Sequence, residues 1–156
     1  MCNQDKTIKE LAAEKLRNQK LMGLDLGTKT IGIAFSDVNL SISTARETVL
    51  RTKFSKDAEK LLTLANKEDV FAIILGLPLN MDGTEGPRAQ STRAFARNLS
   101  NLTELPILFQ DERLSTYAAE QAMLEADMSR KKRSEKIDAV AAAVILQGAL
   151  DRLNQA

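Results

Sequence analysis

The chain of 156 residues contains no histidine and no tryptophan, and its single cysteine is Cys2. Without histidine there can be no serine triad with an imidazole base, no histidine-pair ribonuclease chemistry and no histidine-ligated zinc. One cysteine allows neither an internal disulfide nor a cysteine metal cluster, which fits a reducing compartment and predicts a cytoplasmic protein. No apolar run approaches the ~20 residues of a membrane span. Residues 1–20 are polar and lack the apolar centre of a signal peptide, so no membrane partner is expected. Aromatic residues make up only 4% of the chain, which argues against extensive stacking on nucleobases. The net charge is +1, so any basic surface must be local. Hydrolytic chemistry, if present, must rest on carboxylates, lysine, hydroxyls or a bound metal.

What is present predicts one α/β domain over 21–153, preceded by a charged extension over 1–20. In that extension Ile8, Leu11, Ala12 and Leu16 have helical spacing along a thin stripe, which predicts a short, loosely packed helix. Residues 21–26 and 31–36 read as strands joined by the turn Gly27-Thr28-Lys29-Thr30, and 43–51 as a third strand. Residues 54–67 have helical periodicity. Residues 70–75 form a wholly apolar run, the pattern of a strand buried on both faces. A loop over 76–87, rich in glycine and proline, leads into a helix that begins near Pro87 and runs to 102. A short strand is predicted over 107–109, a helix over 117–125, a basic loop over 127–136 and an alanine-rich helix over 137–153. Three hairpin-linked strands followed by alternating helices and strands predict a three-layer α/β/α fold. Its mixed sheet has five strands: an antiparallel meander, then parallel strands. The first strand should be central, and sites in open α/β sheets form beyond the carboxyl ends of strands.

Three carboxylates stand out against this frame. Asp25 interrupts an apolar strand, where aspartate is unfavourable, and shares a face with Leu21 and Gly23. It reads equally well as a ligand or as a cap for the Gly27-Thr28 turn. Glu112, in Asp111-Glu112-Arg113, follows the last strand directly, as a site residue or as part of a solvated loop. Asp138 falls on the helical stripe of Ala141, Ala142 and Ile145. A helix dipole explains an acid near a helix start, but not one on an inner, small-residue face. If the three converged to about 5 Å, each pair would repel by about 3 kcal/mol at an effective dielectric of about 20. A divalent cation would relieve that repulsion, and oxygen ligands suit Mg²⁺ or Mn²⁺. Two such ions about 4 Å apart would activate water and stabilise a leaving oxygen in phosphodiester hydrolysis, with no histidine required.

Four motifs occur in order: Gly23-Leu24-Asp25-Leu26-Gly27-Thr28-Lys29-Thr30-Ile31-Gly32-Ile33-Ala34, Gly76-Leu77-Pro78-Leu79-Asn80-Met81-Asp82-Gly83-Thr84, Asp111-Glu112-Arg113-Leu114-Ser115-Thr116, and Asp138-Ala139-Val140-Ala141-Ala142. From about Leu21 to Leu150 the chain resembles the YqgF/RuvX family. The resemblance implies an RNase H-like fold and a nuclease, described for the family both as a Holliday-junction resolvase and as the enzyme maturing the 5′ end of pre-16S ribosomal RNA. Carried over by position, it makes Asp25, Glu112 and Asp138 the acidic, metal-holding site. Thr30 stands where the family usually has arginine, and Ser115 where it has threonine. Neither departure touches the acids.

Lys29, on the turn after Asp25, is a candidate phosphate contact or an ordinary turn lysine. Arg113 could hold a phosphate or a neighbouring carboxylate. Arg130, Lys131, Lys132 and Arg133 could grip a nucleic-acid backbone without reading its sequence, or be a solvated loop. Arg88, Arg93 and Arg97 are weaker candidates. The expected partners are pre-ribosomal RNA and its precursor particles, or branched DNA, bound by a monomer or homodimer. Two other readings stand beside the nuclease. One is a nucleotide binder of the actin and sugar-kinase type, which a single 156-residue domain is too short to complete. The other is a non-catalytic RNA-binding assembly factor.

Overall fold

A computed structural model describes residues 8–13, 15, 17–80, 82–111 and 130–154, with the main chain alone for Ile8 and for 130–138. Five strands form one sheet: β1 (Lys20–Leu26), β2 (Thr30–Ser36), β3 (Ser43–Leu50), β4 (Val70–Leu77) and β5 (Ile107–Asp111). Their order across the sheet is β3-β2-β1-β4-β5. β1 pairs antiparallel with β2, and β2 with β3, while β4 lies parallel to β1 and β5 parallel to β4. The predicted meander, central first strand and parallel continuation are therefore present. The carboxyl ends of β1, β4 and β5 share one edge.

Period-2 alternation divides the apolar residues between two layers. Met22, Leu24, Leu26, Ile31, Ile33, Phe35, Ile73 and Leu75 project to one face. There they meet Ala58, Leu61 and Ala65 of α2 (Phe54–Lys67) and Phe95, Ala96 and Leu99 of α3 (Pro87–Ser100). Leu21, Ala34, Ala72, Ile74 and Leu108 project to the other face, against Ala142, Ile145, Leu146, Ala149 and Leu150 of α4 (Arg130–Asn154). With both faces covered, all eight residues of β4 are buried, as its unbroken apolar run requires. The short helix α1 (Ile8–Ala13) adds Leu11 to the second layer, where that side chain is buried despite the thin stripe around it.

Gly23 sets how closely α4 approaches. A Cβ at this position would lie 2.8 Å from Leu146 Cβ and 3.1 Å from the Ala142 carbonyl. Farther along, the Asn154 amide donates to the Leu40 carbonyl (2.9 Å) in the β2–β3 turn. Ser36, just before that turn, accepts the Leu21 N–H through its hydroxyl (2.8 Å). The C-terminus of α4 thus lies by the start of β1, so the helix runs antiparallel to that strand and its first turns reach the strand's carboxyl end.

The basic run differs from expectation. Residues 130–133 open α4 rather than lying in a loop, and the helix starts seven residues before the predicted 137. Residues 130–136 are polar and carry no apolar stripe, yet lysine and arginine are good helix formers. A helix already anchored by its packed C-terminal half extends through them at little cost.

Candidate functional site

Asp25 is the sixth residue of β1 and only 7% exposed, on the sheet face that α4 covers. In β2 its partner is Gly32. On the other side the register Leu24↔Leu75 brings Gly76 of β4 next in line. Glycine thus flanks this carboxylate on both neighbouring strands, and Gly23 and Gly27 lie two residues away along its own. The two positions immediately beside Asp25 in this row therefore carry no side chains.

The other expected site residues divide by what the structure describes. β5 ends at Asp111, paired with Leu77, so the chain leaves the sheet at the edge where β1 ends. Glu112 and Arg113 follow immediately and lie outside the described residues, as do Ser115 and the helix predicted over 117–125. Asp138 belongs to α4 one turn before Ala142, in a row whose later members Ala141, Ala142 and Ile145 are at most 2% exposed. Its side chain, like those of Arg130, Lys131, Lys132 and Arg133, lies outside the described residues. Among the described residues no three acidic or cysteine side chains gather as a metal site. As a donor, Asp25 suits a hard divalent cation: a carboxylate, largely withdrawn from water, beside side-chain-free positions.

Lys29 is exposed on the β1–β2 turn, which a phosphate contact and an ordinary turn lysine both require. The turn itself is held from behind. Gly27 N–H donates to the Thr30 carbonyl (2.8 Å), and Arg51 N–H to the Lys29 carbonyl (2.8 Å). The Arg51 guanidinium donates to the Gly27 carbonyl (2.7 Å) and that of Arg88 to the Leu26 carbonyl (3.3 Å). No sequence signal points to Arg51, which follows an ordinary edge strand. Arg93 is otherwise engaged. It makes a two-pronged contact with Glu85 (2.7 and 2.8 Å) and lies over the Phe109 ring at 4.9 Å. The bond from Arg93 holds the Glu85 carboxyl below its ordinary range.

The loop over 76–87 is a tight connection among its described residues. Leu79 bridges to Glu85, Gly83 N–H donates to the Asn80 carbonyl (2.8 Å), and Asp82 accepts from Thr84 N–H (3.0 Å). A groove of about 570 Å³ between β3 and α2, lined by Glu47, Val49, Lys56, Lys60 and Leu64 among others, lies on the face opposite Asp25. No helix among the described residues is long and apolar enough to cross a membrane.

Comparison with known proteins adds to this geometry. Residues 19–152 match the model of a family described as RuvX, Holliday junction resolvase. A protein of Ruegeria pomeroyi named as a candidate pre-16S rRNA nuclease is 61% identical over 147 residues, covering 94% of this chain and 96% of its own. A protein of Chelativorans with the same name is 59% identical over 147 residues, covering 94% and 92%. Among solved structures, Thermus thermophilus RuvC in complex with a Holliday junction superposes with a TM-score of 0.56 at 14% identity, over 88% of this chain and 98% of that one. Fowlpox virus resolvase with Holliday junction DNA gives 0.51 at 12% identity, over 88% and 100%. At such identities the solved structures speak for the fold alone, and that fold is the RNase H-like one that RuvC shares.

Proposed function

The chain belongs to the RuvX family, and on that premise we propose that it is a metal-dependent nuclease that hydrolyses phosphodiester bonds in maturing the 5′ end of pre-16S ribosomal RNA. The observation that carries the reading is Asp25: a withdrawn carboxylate at the carboxyl end of the central strand, between glycines, in a strand whose other buried side chains are apolar. In this reading Glu112, just past β5, and Asp138, in the early turns of α4, complete an acidic set over 21–153, with 1–20 as an extension. Together the three carboxylates would hold Mg²⁺ or Mn²⁺, which supplies an activated water and charge stabilisation at the leaving oxygen. Lys29 and Arg113 would steady the phosphate undergoing attack. Arg130, Lys131, Lys132 and Arg133 would hold flanking phosphates. RNA of this kind implies the cytoplasm and ribosomal precursor particles as the setting. The names of the close relatives favour RNA, and the family's description keeps branched DNA as the second substrate to test.

The test offers purified protein a labelled pre-16S 5′-leader RNA and, separately, a four-way DNA junction, each with Mn²⁺, Mg²⁺ or EDTA. Wild type should cut the RNA only with metal. Asp25→Asn should lose more than about 100-fold in rate, beyond what even an outer-shell partner of a metal usually costs. Cutting of the junction alone would move the reading to recombination. Binding of both without cutting under any metal would replace the nuclease with a non-catalytic RNA-binding factor.

A further inference from the structure

On the α3 side of the sheet, at the edge where β1 ends, lies a small cavity of about 70 Å³. Among the described residues it is lined by Leu26, Gly27, Thr28, Arg51, Arg88, Ser91 and Thr92, none of them acidic. Arg51 uses one donor on the Gly27 carbonyl and lies 6.0 Å over the Phe95 ring, while Arg88 uses one on the Leu26 carbonyl. A guanidinium has several N–H donors in a planar fork matched to oxyanions. Among the described residues neither arginine is paired with a carboxylate. Two like charges converging on consecutive carbonyls repel, and strapping a turn needs neither a second arginine nor an open cavity. The cavity has room for a small oxyanion, and the exposed Thr28 and Ser91 bring hydroxyls to it.

We propose that Arg51 and Arg88, with the hydroxyls of Thr28 and Ser91, form a binding subsite for a backbone phosphate of the substrate strand, adjacent to the phosphate at Asp25. The proposal rests on the nuclease reading for its ligand. The geometry supplies the adjacency. Asp25 and Leu26 are consecutive on β1 and face opposite sides of the sheet, so a strand crossing this edge passes from the acid to the two arginines. The subsite sets where the strand lies relative to the acids, and its contacts are independent of base identity.

The test has an arm free of catalysis. Inorganic phosphate titrated into the intact protein and followed by NMR should shift the Arg51 and Arg88 side-chain Nε–H signals and the Thr28 and Ser91 amides, saturably. RNA binding is then measured by fluorescence anisotropy in EDTA over a range of salt. Ser91→Glu places a carboxylate at the cavity without removing either arginine, and its melting temperature is checked beside wild type. One lost single-strand contact should reduce the log–log salt slope by about 0.7, equivalent to about fivefold weaker binding at 0.1 M salt. Asn98→Glu, an equal charge change farther along α3, and Arg93→Gln, whose guanidinium is already bound by Glu85, should keep the wild-type slope. Arg88→Gln should behave as Ser91→Glu does, with melting checked in parallel. Phosphate shifts elsewhere, or a wild-type slope for Ser91→Glu, would overturn the subsite. So would phosphate binding at the cavity with RNA affinity unchanged, which would make it a free-anion site only. A wild type that does not cut yet shows the expected slopes would instead fail the nuclease reading and leave the subsite standing.

Discussion

Gly23→Ala tests how α4 is seated on the central strand. Alanine in place of a strand glycine would ordinarily stabilise by about 0.5–1 kcal/mol, because the unfolded chain loses freedom. Here the added methyl would lie 2.8 Å from Leu146 Cβ and 3.1 Å from the Ala142 carbonyl. Neither is the free end of a flexible side chain, so the helix itself must move. Overpacking of this kind costs about 1–3 kcal/mol. Because neither neighbour can yield cheaply, the upper part of that cost applies, and the balance is a net loss of about 1–2.5 kcal/mol, or about 2–10 °C in melting temperature for a domain of this size. Gly148→Ala is the matched control. Its Cβ would meet the terminal amide nitrogen of Gln110 at 3.0 Å, a group that can swing aside. Alanine in a helix interior gains about 1 kcal/mol over glycine, so this variant should melt at or above wild type. Urea titration and thermal melts followed by circular dichroism read both. A Gly23→Ala protein as stable as wild type would refute close seating of α4 at Gly23. If the helix is displaced as argued, that variant should also lose more nuclease activity than Gly148→Ala, since Asp138 travels with the helix.

Other outcomes follow from the same structure. Glu68 accepts from Lys20 (2.9 Å) and Arg46 (2.7 Å), tying the end of α2 to β1 and β3. The Lys20 hydrogen bond, opposed by burial and aided by the charges of Lys20 and Arg46, holds its carboxyl below the ordinary 4.5. A lowered carboxylate contributes stability in full above that value and loses it as pH falls through the lower folded value. Glu68→Gln should therefore destabilise at pH 7, by about 1 kcal/mol or less for so partly exposed a cluster. The gap from wild type should shrink in urea titrations carried below pH 4.5, and a gap independent of pH would contradict the ion-pair account. Asp57, buried at the start of α2, accepts both the Thr52 N–H (3.0 Å) and its hydroxyl (3.0 Å). Asp57→Ala strands those donors and should cost about 1–3 kcal/mol in denaturant unfolding, whereas Asp57→Asn should retain part of the loss.

Much of the architecture was legible in the residues themselves. The hairpin signalled by Gly27-Thr28-Lys29-Thr30, the wholly apolar β4, Pro87 at the start of α3 and the order of elements are local patterns, set by turn chemistry and hydrophobic period. Asp25 was conspicuous because a carboxylate in an apolar strand breaks the local pattern. The start of α4 was not legible, because seven polar residues look alike in a loop and in a helix held by its distant end. Nor was the glycine row around Asp25. Gly32 and Gly76 are far apart in the chain, and only strand register sets them on either side of the acid. Arg51 and Arg88 are separated by α2 and β4 and share no motif, so no spacing rule brings them to consecutive carbonyls of one strand. Sequence by itself determined the elements, their order and the residue whose chemistry is out of place, since each depends on neighbours a few positions away. Tertiary structure alone decided which distant groups face one another across the end of β1, because that depends on sheet register and helix seating, which no local pattern encodes.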